Sequence, residues 1–396
     1  MSAAPSAVCG TRPGVEAPVQ VPVFPVPPAA PRRSGRSRFA APVIAVGLVA
    51  LLAGLWGALE RLGLPVPPGR PGLAELHGVL MPLGFLGTLI AAERAVALGR
   101  GWAWLAPAFS AVGSLWLVAA LPSGVGRELV ALGGFALLAV FAVFAQLHRI
   151  QASTHNLVMA AGAACWCVAG TLWVANRDLA TLAPWLAGFL VLTIAGERLE
   201  LSRLVAVTRR GRALFLAAVA LFLGGLALSL PEPTAGVRMA GAGLLAVSAW
   251  LVSHDIARRT IRLPGVTRFM AVGLAAGYLW LAVAGTLWIV IGRLSDGPGY
   301  DAMLHAVFLG FVFSMVFAHA PVILPAVLRV RVPFHRAVYG PLTLLHASLA
   351  LRLLAGDAAG STLAWRIGGV LNEVAILAFL ATMATLALRA RRRPGG

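Results

Sequence analysis

The residues most able to do chemistry in this chain are histidines and carboxylates that interrupt long apolar runs. His77 lies in LHGVL and His305 in LHAVF. Two neutral imidazoles facing one another from neighbouring helices can ligate one haem iron or bind copper. His319 follows His305 by fourteen residues. On a helix that is about 21 Å along the axis and within about 40° of the same face. His319 therefore belongs to the other half of its run, at the depth expected for Glu93 and Glu197. Three ionisable groups at one depth would make a polar cluster. His346 and Glu373 fall nearer the middle of their runs. His346 is a further metal-ligand candidate, and Glu373 is a proton-relay or structural carboxyl. A charge at the centre of a membrane helix costs about 2.5–3.5 kcal/mol on insertion scales, so each of these residues needs a partner. His148, His155, His254 and His335 sit at run ends and are expected to be solvated. Cys165 and Cys167 are about 200° apart on a helix, which does not suit a shared metal or a disulfide.

The elements that must position these groups are apolar helices. The chain has 396 residues, 59% hydrophobic and only 12% charged, about half the charge of a soluble domain. Runs of bilayer-spanning length recur, continuous rather than alternating, which predicts an all-α integral membrane fold. Twelve spans are expected, over 40–60, 74–98, 102–121, 127–147, 156–175, 180–203, 213–230, 236–254, 269–291, 301–328, 337–355 and 365–388. Residues 1–38 read as a disordered cytoplasmic tail, 39–390 as the membrane domain and 391–396 as a second tail. No secretory signal precedes the first span.

The net charge of +18 does not point to nucleic acid. All 32 basic residues are arginine, and they gather at run ends. With the N-terminus inside, eight fall in outer segments (Arg61, Arg70, Arg127, Arg177, Arg238, Arg293, Arg352 and Arg366), leaving 24 on the cytoplasmic side. Such a bias follows the positive-inside rule and places both termini in the cytoplasm of a bacterial-type inner membrane.

Self-similarity adds an internal order. GFLGTLIAAER (84–94), GFLVLTIAGER (188–198) and GFVFSMVFAHA (310–320) share Gly-Phe, an apolar stretch, and then Glu93, Glu197 or His319. AGLW (53–56) and AGTLW (169–173 and 284–288) recur in phase with them. The chain thus reads as three pseudo-threefold four-helix repeats, about 40–148, 156–255 and 268–390. Helices 2, 6 and 10 would surround the axis, and their small residues would permit close backbone approach.

Twelve helices in three units, with histidines on helices 2 and 10, resemble the catalytic subunit of haem-copper oxidases. LHGVLMPLGF, LHAVFLGF and ALRLLAG are similar to stretches of the NnrS family, membrane haem-copper proteins linked to nitric oxide and nitrosative stress. The resemblance implies haem and copper as cofactors, nitric oxide as a partner beside the lipid bilayer, and His77 and His305 as axial ligands near the outer face. The chain departs from NnrS in keeping one histidine at the start of helix 2, in Glu75-Leu76-His77. It departs from the oxidases in having no histidine on helices 6 and 7, so their oxygen-reducing centre is absent. A haem between His77 and His305 needs ring nitrogens about 4 Å apart and backbones roughly 12–14 Å apart, with Leu80, Leu83, Phe308 and Phe311 expected to line the slot. The alternatives are a proton-coupled transporter and a non-catalytic assembly or sensor protein.

Overall fold

The computed structural model describes residues 40–67, 72–147, 153–201, 207–328 and 330–392. Among them are twelve helices long and apolar enough to cross a membrane: α1 Ala40–Arg61, α2 Leu73–Leu98, α3 Gly101–Val118, α4 Ser123–Val143, α5 Thr154–Val174, α6 Leu179–Leu201, α7 Arg209–Leu228, α8 Pro233–His254, α9 Val266–Ile291, α10 Gly297–Pro325, α11 Arg336–Ala358 and α12 Thr362–Arg391. Each expected span corresponds to one helix. The whole tail over 1–38, all of 393–396, and His148 lie outside the described residues.

The ends are set by local chemistry. α8 and α10 begin with proline in their first turn, where no N–H is needed. Thr208 caps α7 by accepting from the Gly211 amide at 3.0 Å, and Ser361 caps α12 by accepting from Ala364 at 3.2 Å. α10 and α12 start a few residues before the expected 301 and 365, α10 at Gly297 with Pro298 in its first turn and α12 at Thr362 behind its Ser361 cap.

Helices adjacent in sequence pack together, and the series closes where α1 meets α10 and α12. α6 is the most enclosed, buried along most of its length, and touches both α2 and α10. Leucines such as Leu157, Leu279, Leu354 and Leu363 are exposed, the pattern of an apolar periphery facing lipid. In water such a surface would be an aggregation liability. Here it marks a multi-pass membrane protein in contact with the bilayer.

The glycine of each Gly-Phe motif sits where a neighbouring helix approaches closely. A Cβ on Gly84 would stand 2.9 Å from Ser114 Oγ on α3 and 3.2 Å from Ala50 on α1. On Gly188 it would meet Leu226 of α7 at 2.7 Å and Cys165 of α5 at 2.9 Å, and on Gly310 it would meet Trp280 of α9 at 2.5 Å. α2 and α10 share a further feature. Each contains an eight-residue π-helical stretch, Leu80–Gly87 and Ala306–Phe313, beginning four residues before its motif glycine. α6 has none and is α-helical over Leu179–Leu201. π-Helical stretches are uncommon and concentrate at functional sites. A third, Leu351–Ala358, ends α11.

Candidate functional site

A cavity of about 650 Å³ opens among α1, α2, α6, α10, α11 and α12, and both His77 and His305 line it. Its walls are mostly apolar, with Met81, Leu186, Phe308 and Phe313 among them. Of the residues expected to line a slot between the histidines, Phe308 does so. Leu80, Leu83 and Phe311 are instead buried in helix packing. The π-helical turns carry them away and bring Pro82, Leu309 and Phe313 to the cavity.

The two histidines are held alike. His77 Nδ1 lies 2.8 Å from the Gly54 carbonyl of α1. His305 Nδ1 lies 2.8 Å from the backbone carbonyl of Asp301 and 3.2 Å from Asp301 Oδ1. A carbonyl can only accept, so in each ring Nδ1 carries the proton and donates. In the neutral ring Nε2 is then the nitrogen with a lone pair, and neither Nε2 has a hydrogen-bond partner among the described residues. This is the tautomer and orientation of a metal-ligating histidine.

Asp301 is itself firmly placed. Arg352 donates to it through Nε at 2.8 Å and Nη2 at 2.7 Å, and Trp365 Nε1 donates to Oδ2 at 3.3 Å. The Arg352 guanidinium lies over the Trp365 ring, 5.5 Å from its centroid. Arg352 was expected in an outer segment. It is buried within the π-helical end of α11, where its carboxylate partner offsets the cost of burial. Three buried polar atoms of the cavity lining have no partner among the described residues: Tyr300 Oη, Asp357 Oδ2 and Glu373 Oε1. Buried polar groups are nearly always satisfied by protein or water, so these three atoms mark where water or a polar ligand would sit. Glu373 is thus the cavity carboxyl that the sequence singled out, and it lacks the expected partner.

Glu93, Glu197 and His319 also come together, with arginines between them. Arg94 Nη2 donates to Glu93 at 3.0 Å and to Glu197 at 2.5 Å, tying α2 to α6. The next residue along α6, Arg198, donates to Asp255 through Nε at 2.8 Å and Nη2 at 3.3 Å, and its Nη1 is 3.0 Å from His319 Nε2. His319 Nδ1 donates to the Met315 carbonyl at 2.7 Å. Both ring nitrogens are therefore occupied, and Nε2 faces a cation. A metal could bind His319 only by displacing Arg198. Arginines snorkelling toward the membrane surface would have left the glutamates solvated. Instead Arg198 is 2% exposed and paired, because Asp255, just past α8, supplies a buried counter-charge.

His346 is likewise engaged at both nitrogens. Trp280 Nε1 donates to its Nδ1 at 3.0 Å, and Ser314 Oγ lies 3.3 Å from its Nε2 while donating to the Gly273 carbonyl. It joins α9, α10 and α11 as a structural node. His155, expected in solvent, is buried and lies 3.7 Å from Glu200. His254 stacks on Trp250 with centroids 4.9 Å apart. His335 is exposed, as expected. Among the described residues no three His, Cys, Asp or Glu side chains form a metal cluster. The cavity pair offers two imidazole donors, which suits the axial positions of a haem.

Fold and site together define a multi-pass helical membrane protein with a histidine-lined cavity. Over residues 38–388 the chain matches the family described as domain of unknown function DUF8744, and it belongs to that family. No curated protein and no solved structure matches it.

Proposed function

We propose that this chain is an inner-membrane haem-binding protein of the NnrS-like type, in which His77 and His305 hold a haem between α2 and α10. The observation that carries the reading is the pair of oriented imidazoles, each with a free Nε2, on one apolar cavity. The cavity volume falls within the range of about 300–1,000 Å³ usual for small-molecule sites. Bound there, haem iron would supply an affinity for nitric oxide or a related diatomic, and the resemblance extends the role to nitrosative stress. Copper, the other metal the resemblance implies, would have the same two nitrogens as its available donors. The arginine bias supports cytoplasmic termini, with the His77–His305 end of the cavity toward the outer face.

Protein purified after expression with ample haem should show a Soret band corresponding to about one haem per chain. The double substitution His77→Ala with His305→Ala should abolish it while the protein stays folded in detergent. A wild type without the band would overturn the reading.

Glu373 Oε1 and Asp357 Oδ2, buried and without a hydrogen-bond partner among the described residues, favour a second reading, a proton-coupled transporter. It predicts a protein free of haem whose proton uptake in liposomes is lost on Glu373→Gln.

A further inference from the structure

The two histidines differ in what receives their Nδ1 proton. His77 donates to a neutral peptide carbonyl on another helix, Gly54 on α1. His305 donates to the Asp301 carbonyl and also faces the Asp301 carboxylate at 3.2 Å. That carboxylate is held in place by Arg352 and Trp365. A carboxylate behind an imidazole raises its basicity and fixes its ring, which strengthens it as a ligand. A neutral carbonyl does so less. His77 also sits one turn before the π-helical stretch Leu80–Gly87, with the cavity-lining residues Gly78, Met81 and Pro82 following it.

We propose that Asp301 makes His305 the permanent ligand of the pair and leaves His77 as the ligand that yields to an incoming neutral diatomic molecule. The inference rests on the haem reading above and deepens it. It makes Asp301 a positioning residue, acting through His305, and makes the His77 side of the cavity the entry for the exogenous ligand. Asp301 and His305 are four residues apart on α10, so the pair moves as one rigid unit. His77 and Gly54 are on different helices, and their hydrogen bond can open by a small shift of α1 against α2.

The test compares single variants of the full chain loaded with haem. His77→Ala should retain haem, with its Soret band shifted toward a five-coordinate form, and should bind carbon monoxide faster than wild type. His305→Ala should lose haem during purification. Asp301→Asn should weaken haem retention by about 10–100-fold and raise the midpoint potential, because a less basic imidazole stabilises the ferric state less. Equal retention in the two histidine variants, or retention in His305→Ala alone, would overturn the proposal while leaving the haem reading in place. A wild type with no Soret band would instead sink that reading itself. The two histidine variants decide the matter even if Asp301→Asn, which leaves Arg352 without its carboxylate, fails to fold.

Discussion

Arg198 shows how much a single buried charge depends on its partners. It is buried among Asp255, His319 and the Tyr278 side chain. Removing one member of a buried ion pair typically costs about 3–5 kcal/mol, because the other charge is left uncompensated. Asp255→Ala should therefore lower stability in detergent by about that amount, measured as the midpoint of thermal or denaturant unfolding. Replacing both, as Arg198→Met with Asp255→Leu, should recover most of the loss. If the double variant were no better than Asp255→Ala, the pair would not be the source of the effect. The residues of this cluster were partly legible in sequence: Glu93, Glu197 and His319 occupy matching places in three similar segments. Asp255 was not, since it follows α8 in a connection with no repeat to flag it. Asp301 did leave a signal, a carboxylate one helical turn before a histidine, but its role depends on Arg352 and Trp365, about fifty and sixty residues away.

At the scale of elements, close approach governs where helices can sit. Gly310 lets α10 lie against the Trp280 side chain of α9, and the same Trp280 anchors His346 of α11. Gly310→Ala should displace that indole and cost about 1–3 kcal/mol by overpacking, read as a lower unfolding midpoint. No change would mean that α9 and α10 have slack the packing does not show. The connections carry weaker ties. Asp178, just before α6, pairs with Arg293, just after α9, at 2.9 Å, and accepts from the Thr181 amide at 3.1 Å and from its hydroxyl. Slight burial works to raise its pKa, but the Thr181 hydrogen bonds and Arg293 outweigh that and hold the carboxyl below its usual value. A lowered pKa contributes stability above the unfolded-state value and loses it as pH falls through the folded-state value. The group is largely exposed, so the contribution is small and screened by salt. Asp178→Asn should thus lower the unfolding midpoint slightly at neutral pH, and the difference from wild type should vanish as pH falls below the lowered folded-state value. A difference that persists there would assign the effect to the hydrogen bonds instead of the charge.

For the whole molecule, orientation and internal symmetry are the properties to measure. Reporter fusions at residue 210 and at the C-terminus should both read cytoplasm, and one at residue 296 the opposite side. A periplasmic C-terminus would contradict the arginine bias. The three units α1–α4, α5–α8 and α9–α12 should superpose by rotation about an axis along the membrane normal, as crystallography or cryo-electron microscopy in lipid would show. An axis in the membrane plane would favour the transporter reading. Sequence alone determined the helical class and the number of spans, because bilayer thickness demands about twenty apolar residues per crossing and leaves the backbone no other way to satisfy its polar groups. It flagged the motif glycines as close-approach sites, but their nearest neighbours are α1 and α3, α5 and α7, and α9, where the repeat pattern implied that helices 2, 6 and 10 approach one another. The tertiary structure decided which polar groups are free to act. His77, His305, His319 and His346 are alike as isolated residues in apolar runs. Only the packed neighbours, a carbonyl or carboxylate behind two of them and partners on both nitrogens of the others, separate candidate ligands from structural joints. Hydrogen bonds between side chains far apart in sequence depend on helix rotation and depth, which hydrophobic periodicity leaves open.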